Sequence, residues 1–244
     1  MALPLPRLVI FSGAGLSAES GLETFRANGG LWAQYDPMEV CNIKNWKRNF
    51  TLVHRFYNMR REELGKVEPN AMHYYVASLD SKLGGRAEVV HLSQNVDDLL
   101  ERAGVKEVVH LHGELRLLYC PECGAEWDMG YAHYEPMPCE MCGHDKIKPK
   151  VVFFGEKAPQ YGRMYAEFAR LSSRDCVLVI DTSGNVIPID MLLSHTRAPV
   201  GLGILNNLEA SRAIDDSHFT HALYKPATQA ISEIDELICG FFGL

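Results

Sequence analysis

The chain alternates between short apolar runs and stretches in which apolar positions recur at helical spacing. Arg7–Phe11 (RLVIF), Glu88–Leu92 (EVVHL), Glu107–Leu111 and Asp175–Ile180 (DCVLVI) are rich in Val, Leu, Ile and Phe, and turn residues follow several of them. Runs this short and this apolar predict strands buried on both faces, as in parallel sheets. Val151–Phe154 and Gly201–Leu205 are further strand candidates. Helical spacing covers Trp46–Leu64, where Phe50, Val53, His54, Tyr57 and Arg61 fall near one another on the wheel. It returns over Asn70–Leu83, from Asp97 through Leu100, over Tyr161–Leu171 and over Thr228–Cys239. Strands alternating with helices predict an α/β chain, a Rossmann-like doubly wound parallel sheet.

Residues 119–144 break this pattern, with paired cysteines, several turn residues and little periodicity. Cys120-x2-Cys123 and Cys139-x2-Cys142 are separated by fifteen residues. Two such knuckles bring four thiolates to the corners of a tetrahedron, the chemistry of a structural zinc ion. Four thiolates leave no open coordination position, which excludes a catalytic role for the metal. Gly124 and Gly143 follow each pair, where a knuckle turn favours a residue without Cβ. The expected organisation is a Rossmann-like domain from residues 1–45, 84–118 and 145–244, a helical insert over 46–83 and a zinc-binding module over 119–144.

Composition narrows the partners. The 244 residues carry a formal net charge of -7, which opposes a nucleic-acid partner gripped through its phosphates. No apolar run is long enough for a bilayer span, and MALPLPRLVIFSGAG has neither a basic start nor a signal-cleavage site. Cys41, Cys176 and Cys239 sit in apolar surroundings as core thiols. With the patterned four, they predict a reducing, cytoplasmic setting; a monomer is expected.

The candidate chemistry lies after the strands. Gly13-x-Gly15-x-x-Ala18 joins a strand to a helix start, where glycines admit a pyrophosphate and the helix end supplies amide donors. A tight structural turn is the other reading of this loop. No clear acidic residue closes a second strand about 20 positions later, which argues against an ordinary dehydrogenase. Gln94-Asn95-Val96-Asp97 follows another strand and offers amide and carboxylate groups for ribose hydroxyls or a carboxamide, or else helix caps. His112-Gly113 follows a third, with His112 a candidate general base and His110 its competitor.

Taken in order, these segments resemble the sirtuin family over nearly the whole chain. Gly13-Ala14-Gly15-Leu16-Ser17-Ala18-Glu19-Ser20-Gly21 with Thr24-Phe25-Arg26 resembles its NAD loop, and Gln94 to Asp97 its QNID motif. His112-Gly113, the two CxxC pairs, Phe154-Gly155-Glu156, Thr182-Ser183 and Asn206 match later motifs. The resemblance implies an NAD-dependent protein lysine deacylase that yields free lysine, nicotinamide and O-acyl-ADP-ribose. In that chemistry the acyl oxygen attacks the ribose anomeric carbon. His112 then acts as base toward a ribose hydroxyl, and Asn95 orients the ribose or a water. Asp97 is implied beside the carboxamide. Gly13, Ala14, Gly15, Ser17, Ala18, Phe25, Arg26, Gln94, Thr182, Ser183 and Asn206 are implied at the cofactor, and Val151 to Glu156 along the substrate backbone as an added strand.

Tyr57 and Arg60, three apart on a predicted helix, resemble the pair with which some sirtuins grip the carboxylate of succinyl- or malonyl-lysine. The insert would then contribute to the acyl pocket; an ordinary solvated helix face is the alternative. Glu23 stands where the family has proline, and Asp181 where it has glycine beside the phosphates. The alternatives to deacylation are an NAD glycohydrolase or ADP-ribosyltransferase, and a non-enzymatic NAD sensor.

Overall fold

The core forms around β1 (Arg7–Ser12), whose six residues are all buried. Leu8 and Ile10 join one apolar layer and Val9 and Phe11 the other, as strand alternation requires. The computed structural model describes residues 4–23, 35–196 and 198–244.

Six parallel strands form the main sheet. β2 (Glu88–Ser93) and β3 (Val108–His110) lie to one side of β1. β7 (Cys176–Ile180), β8 (Leu202–Asn207) and β9 (His221–Tyr224) lie to the other. The order β3-β2-β1-β7-β8-β9 reverses direction at β1 and β7. At such a switch point the chain leaves neighbouring strand ends on opposite sides and opens a crevice above them.

Helices α1 (Gly15–Ala18), α2 (Pro37–Val40), α3 (Phe50–Leu64), α4 (Ala71–Leu83), α5 (Leu99–Arg102), α6 (Tyr161–Ala169), α7 (Ile189–Ser194) and α8 (Ala227–Phe242) complete the fold among the described residues. α4 and α8 cover one face, packing Met72, Val76, Leu79, Ile234 and Ile238 on Leu8, Ile10, Leu178 and Ile204. α6 and α7 cover the other, packing Met164, Phe168 and Ile189 on Val9, Phe11, Val177 and Val179. Helices on both faces of a parallel sheet give the expected doubly wound fold.

A second, antiparallel sheet stands apart. β4 (Gly113–Tyr119) lies between β5 (Glu126–Asp128) and β6 (Lys148–Val151). Its core joins α3 through Val53, Phe56, Leu64, Leu115, Leu118 and Ile147. Residues 46–83 therefore serve two layers: α3 packs on the small sheet and α4 under the large one. Arg61, in the charged stretch of α3, is completely buried. Its guanidinium donates to the carbonyls of Ala132 and Leu115, tying helix to module.

Three expectations shift. The strand anticipated at Val151–Phe154 comes earlier, as β6, and Phe154 makes only an isolated bridge to Asn42. β5 comes from the 119–144 stretch of little periodicity, and β4 and β6 come from segments expected in the large sheet. β9 and α7 were not anticipated. Among the described residues, no helix is long and apolar enough to cross a membrane.

Candidate active site and metal centre

The crevice at the switch point is a cavity of about 1260 Å³. Its floor is the turn after β1. Gly13 N–H donates to the Ile180 carbonyl (2.9 Å) and Gly15 N–H to that of Asp181 (3.3 Å). A Cβ on Gly13 would sit 2.5 Å from Asp181 O, and one on Gly15 2.6 Å from Asp181 Cβ. The two glycines are needed so that the loop can press against the end of β7.

The Gln94–Asp97 segment fills the next wall. Gln94 Nε2 donates to Thr182 Oγ1 at 2.8 Å, joining the ends of β2 and β7. Ser17 Oγ donates to Asp97 Oδ2 (2.8 Å) and lies 3.1 Å from Asn95 Nδ2, so the three side chains form one cluster. Burial raises the Asp97 pKa against the pull of Ser17 and the Leu99 amide. Asn95 is buried, and its Oδ1 is left without a protein partner. A buried carbonyl oxygen in that state fits a ligand hydroxyl or water.

His112 stands where β3 gives way to β4. The turn requires Gly113: its φ is +82°, and a Cβ there would lie 2.0 Å from the Lys150 carbonyl. His112 Nδ1 is 2.9 Å from Gln94 O, and Nε2 is 2.9 Å from the Tyr161 hydroxyl. A carbonyl only accepts, so Nδ1 carries the hydrogen and Nε2 the lone pair. Burial lowers the His112 pKa, which keeps the ring neutral near pH 7; the Gln94 carbonyl opposes this in part. His110, the competitor, is bonded to Asn95 O (3.0 Å) and to Glu101 (2.6 Å), outside the cavity lining.

On the far side, Tyr57 stacks on Phe153 (centroids 5.6 Å apart) and its hydroxyl donates to Cys41 Sγ at 3.3 Å. Arg60 lines the same wall with 11% of its side chain exposed, 3.9 Å from Glu63. Glu156 closes this end. Its carboxylate accepts from the completely buried Lys148 (2.9 Å), the Tyr119 hydroxyl (3.1 Å) and the Phe153 amide (2.9 Å). Glu156 thus holds the Phe153–Glu156 turn in shape. The amides of Val152 and Phe154 are already spent on His112 O and Cys41 O.

The metal centre lies in the small module. The four cysteine Sγ atoms lie within 4.8 Å of one another, with Cys120–Cys142 and Cys123–Cys139 at 3.6 Å. A tetrahedron with Zn–S bonds of about 2.3 Å has edges of about 3.8 Å, so the four fit a structural zinc ion. The knuckles repeat each other. Gly124 N–H bonds Cys120 O and Gly143 N–H bonds Cys139 O, while Cys120 N–H bonds Ala125 O and Cys139 N–H bonds His144 O, all at 2.8 Å.

The Sir2 family pattern matches residues 13–188. The chain belongs to the Sir2 family. It is 57% identical over 253 residues to an NAD-dependent protein deacylase of Helicobacter hepaticus, covering 98% of this chain and 99% of that one. An Escherichia coli NAD-dependent protein deacylase is 35% identical across 98% of this chain and 86% of its own. A solved Sir2 homologue in complex with NAD superposes with a TM-score of 0.80 at 32% identity, covering 96% of this chain and 90% of that one. A Sir2 protein holding 2′-O-acetyl-ADP-ribose, an inhibitor and a deacetylated peptide gives 0.74 at 26% identity, covering 94% and 93%.

Against the sirtuin expectations, Gly13, Ala14, Gly15, Ser17, Ala18, Gln94, Asn95, Asp97, Thr182, Ser183 and His112 all line the one cavity. Tyr57, Arg60, Val151, Phe154, Gly155 and Glu156 line it too. Phe25 and Arg26 lie outside the described residues. Asn206 is a correction: it is completely buried, its amide donates to Leu223 O and Lys225 O, and it does not line the cavity. Its neighbour Asn207 does, and accepts from the Thr182 amide at 3.0 Å. Strand alternation makes only one of two adjacent asparagines face the crevice. Tyr161 was also not anticipated; nothing in its sequence context marks it.

Proposed function

We propose that this Sir2-family chain is an NAD-dependent protein lysine deacylase, with His112 as its base. The observation that carries this reading is the placing of a neutral imidazole, lone pair on Nε2, between the glycine loop and the Phe154–Glu156 turn. NAD supplies an activated ribose when bound. Gly13, Ala14 and Ser183 would take its phosphates and ribose, and Asp97 its carboxamide. The acceptor Oδ1 of Asn95 would fix a ribose hydroxyl or water. His112 Nε2 would take the proton of a ribose hydroxyl while Nδ1–H stays on Gln94 O. Val151 to Glu156 would bound the acyl-lysine chain, and four thiolates kept for a metal suit a reducing, cytoplasmic compartment.

The substrate's acyl group reaches the Tyr57–Arg60 wall, and an acidic acyl group suits it better than acetyl. Arg60 brings a buried guanidinium able to donate two parallel hydrogen bonds to a carboxylate. The Tyr57 hydroxyl rests on a thiol, a weak acceptor that a carboxylate would displace. We expect Arg60→Met and Tyr57→Phe to lower kcat/KM for succinyl- and malonyl-lysine peptides by about 100-fold, the order set by removing one partner of a buried charged pair. Acetyl-lysine turnover should change only a few-fold. Equal losses on acidic and neutral acyl groups would remove the pair from acyl selection. Loss of nearly all deacylation in His112→Ala, with the fold intact, is expected for the base itself.

A further inference from the structure

Tyr161 begins α6, immediately beyond the substrate turn, and reaches back over the crevice to the base. Its hydroxyl oxygen lies 2.9 Å from His112 Nε2, with ring centroids 5.9 Å apart at 52°. Because Nδ1–H is committed to the Gln94 carbonyl, the neutral ring has only its Nε2 lone pair to offer, and the phenol must be the donor. The ring of Tyr161 is itself braced edge-on by Tyr165, with centroids 6.3 Å apart at 89°. Tyr161 also lines the cavity, so its hydroxyl meets the same space that a ribose hydroxyl must enter.

We infer that Tyr161 is a positioning residue for His112: its hydroxyl holds the imidazole in the neutral tautomer with the reactive lone pair aimed into the crevice, and gives way when a ribose hydroxyl takes that lone pair. The inference rests on His112 being the base. In the step itself the ribose O–H bond breaks and an Nε2–H bond forms. The Tyr161 O–H bond stays whole, and the phenol leaves Nε2 to the incoming ribose hydroxyl. The phenol therefore favours the neutral ring and its orientation before the transfer and takes no proton in it.

Tyr161→Phe removes the hydroxyl and keeps the ring packed on Tyr165. In the free protein, an NMR titration of the His112 ring should shift its midpoint to higher pH, since a donor to the neutral form is lost. With NAD and acyl-peptide present, exchange of labelled nicotinamide, which precedes the base step, should stay within about two-fold. The kcat for deacylation should fall about tenfold, less than the roughly 100-fold or more expected for loss of the base itself, because the base is retained and only its positioning is lost. The acid limb of its pH profile should move up with the titration. An unchanged midpoint and rate would overturn the inference. So would equal falls in exchange and deacylation with an unchanged midpoint, the mark of a merely structural residue. Normal deacylation by His112→Ala would remove the base and the inference together. An inactive His112→Ala beside a fully active Tyr161→Phe would remove only Tyr161.

Discussion

Asp181 closes β7 with φ +48°, a left-handed conformation in which it is the one non-glycine among the described residues. A glycine there would hold that turn without steric cost; aspartate is among the few other residues that visit this conformation. The carboxyl packs over Gly15 and lines the crevice. Burial raises its pKa to about 6, the Leu208 amide partly offsets this, and Glu19 adds to it. The sign follows directly. The neutral acid is favoured above the ordinary carboxylate range, and a bound diphosphate disfavours the ionised form further. NAD affinity should therefore fall as pH rises through 6, by up to about tenfold per unit. Asp181→Gly and Asp181→Asn should bind NAD more tightly at pH 7.5 and lose that pH dependence. Calorimetry from pH 5.5 to 8.5 measures this, and unchanged or weaker affinity in both variants would contradict it. Asp181 was legible in the sequence because a motif surrounds it. Asn207 was not, because telling it from Asn206 needs the strand's parity, and Tyr161 was not, because its partner is 49 positions away.

Among elements, legibility followed burial. β1, β2 and β7 are apolar runs fixed on both faces, and their bounds are close to those expected. β4 mixes half-buried polar and apolar residues (GELRLLY), and β9 is largely exposed (HALY), so neither carries a clean signal. The first knuckle joins the end of β4 to the start of β5, with Cys120 N–H bonded to Ala125 O. Removing zinc should therefore melt this small sheet before the large one. The Lys148–Glu156 pair, anchored at the end of β6, should lose its footing with it. We expect chelation or Cys120→Ser to lower deacylation through the Phe153–Glu156 turn, with early loss of amide protection in residues 113–156 by hydrogen exchange. A zinc-free protein with unchanged protection and full rate would contradict this. Cofactor binding at the glycine loop, which stands on the large sheet, should suffer less than peptide turnover.

For the whole molecule, the strand order decides where chemistry can happen. Reversal between β1 and β7 opens a single crevice, and loops from β1, β2, β3 and β7 all empty into it. The small sheet and α3 then supply one wall, so His112, just before β4, lies between the glycine loop and the Phe153–Glu156 turn. An NAD glycohydrolase would need only the large sheet and its loops, whereas the proposed deacylase also uses the wall that carries Tyr57 and Arg60. This separates the two activities in one measurement. Wild-type protein is incubated with NAD and a panel of acetyl-, malonyl-, succinyl- and glutaryl-lysine peptides, and the products are read by mass spectrometry. Free lysine peptide, nicotinamide and O-acyl-ADP-ribose are expected in equal amounts, fastest with an acidic acyl group, and no nicotinamide without peptide. Nicotinamide and plain ADP-ribose released at the same rate with or without peptide would contradict this expectation.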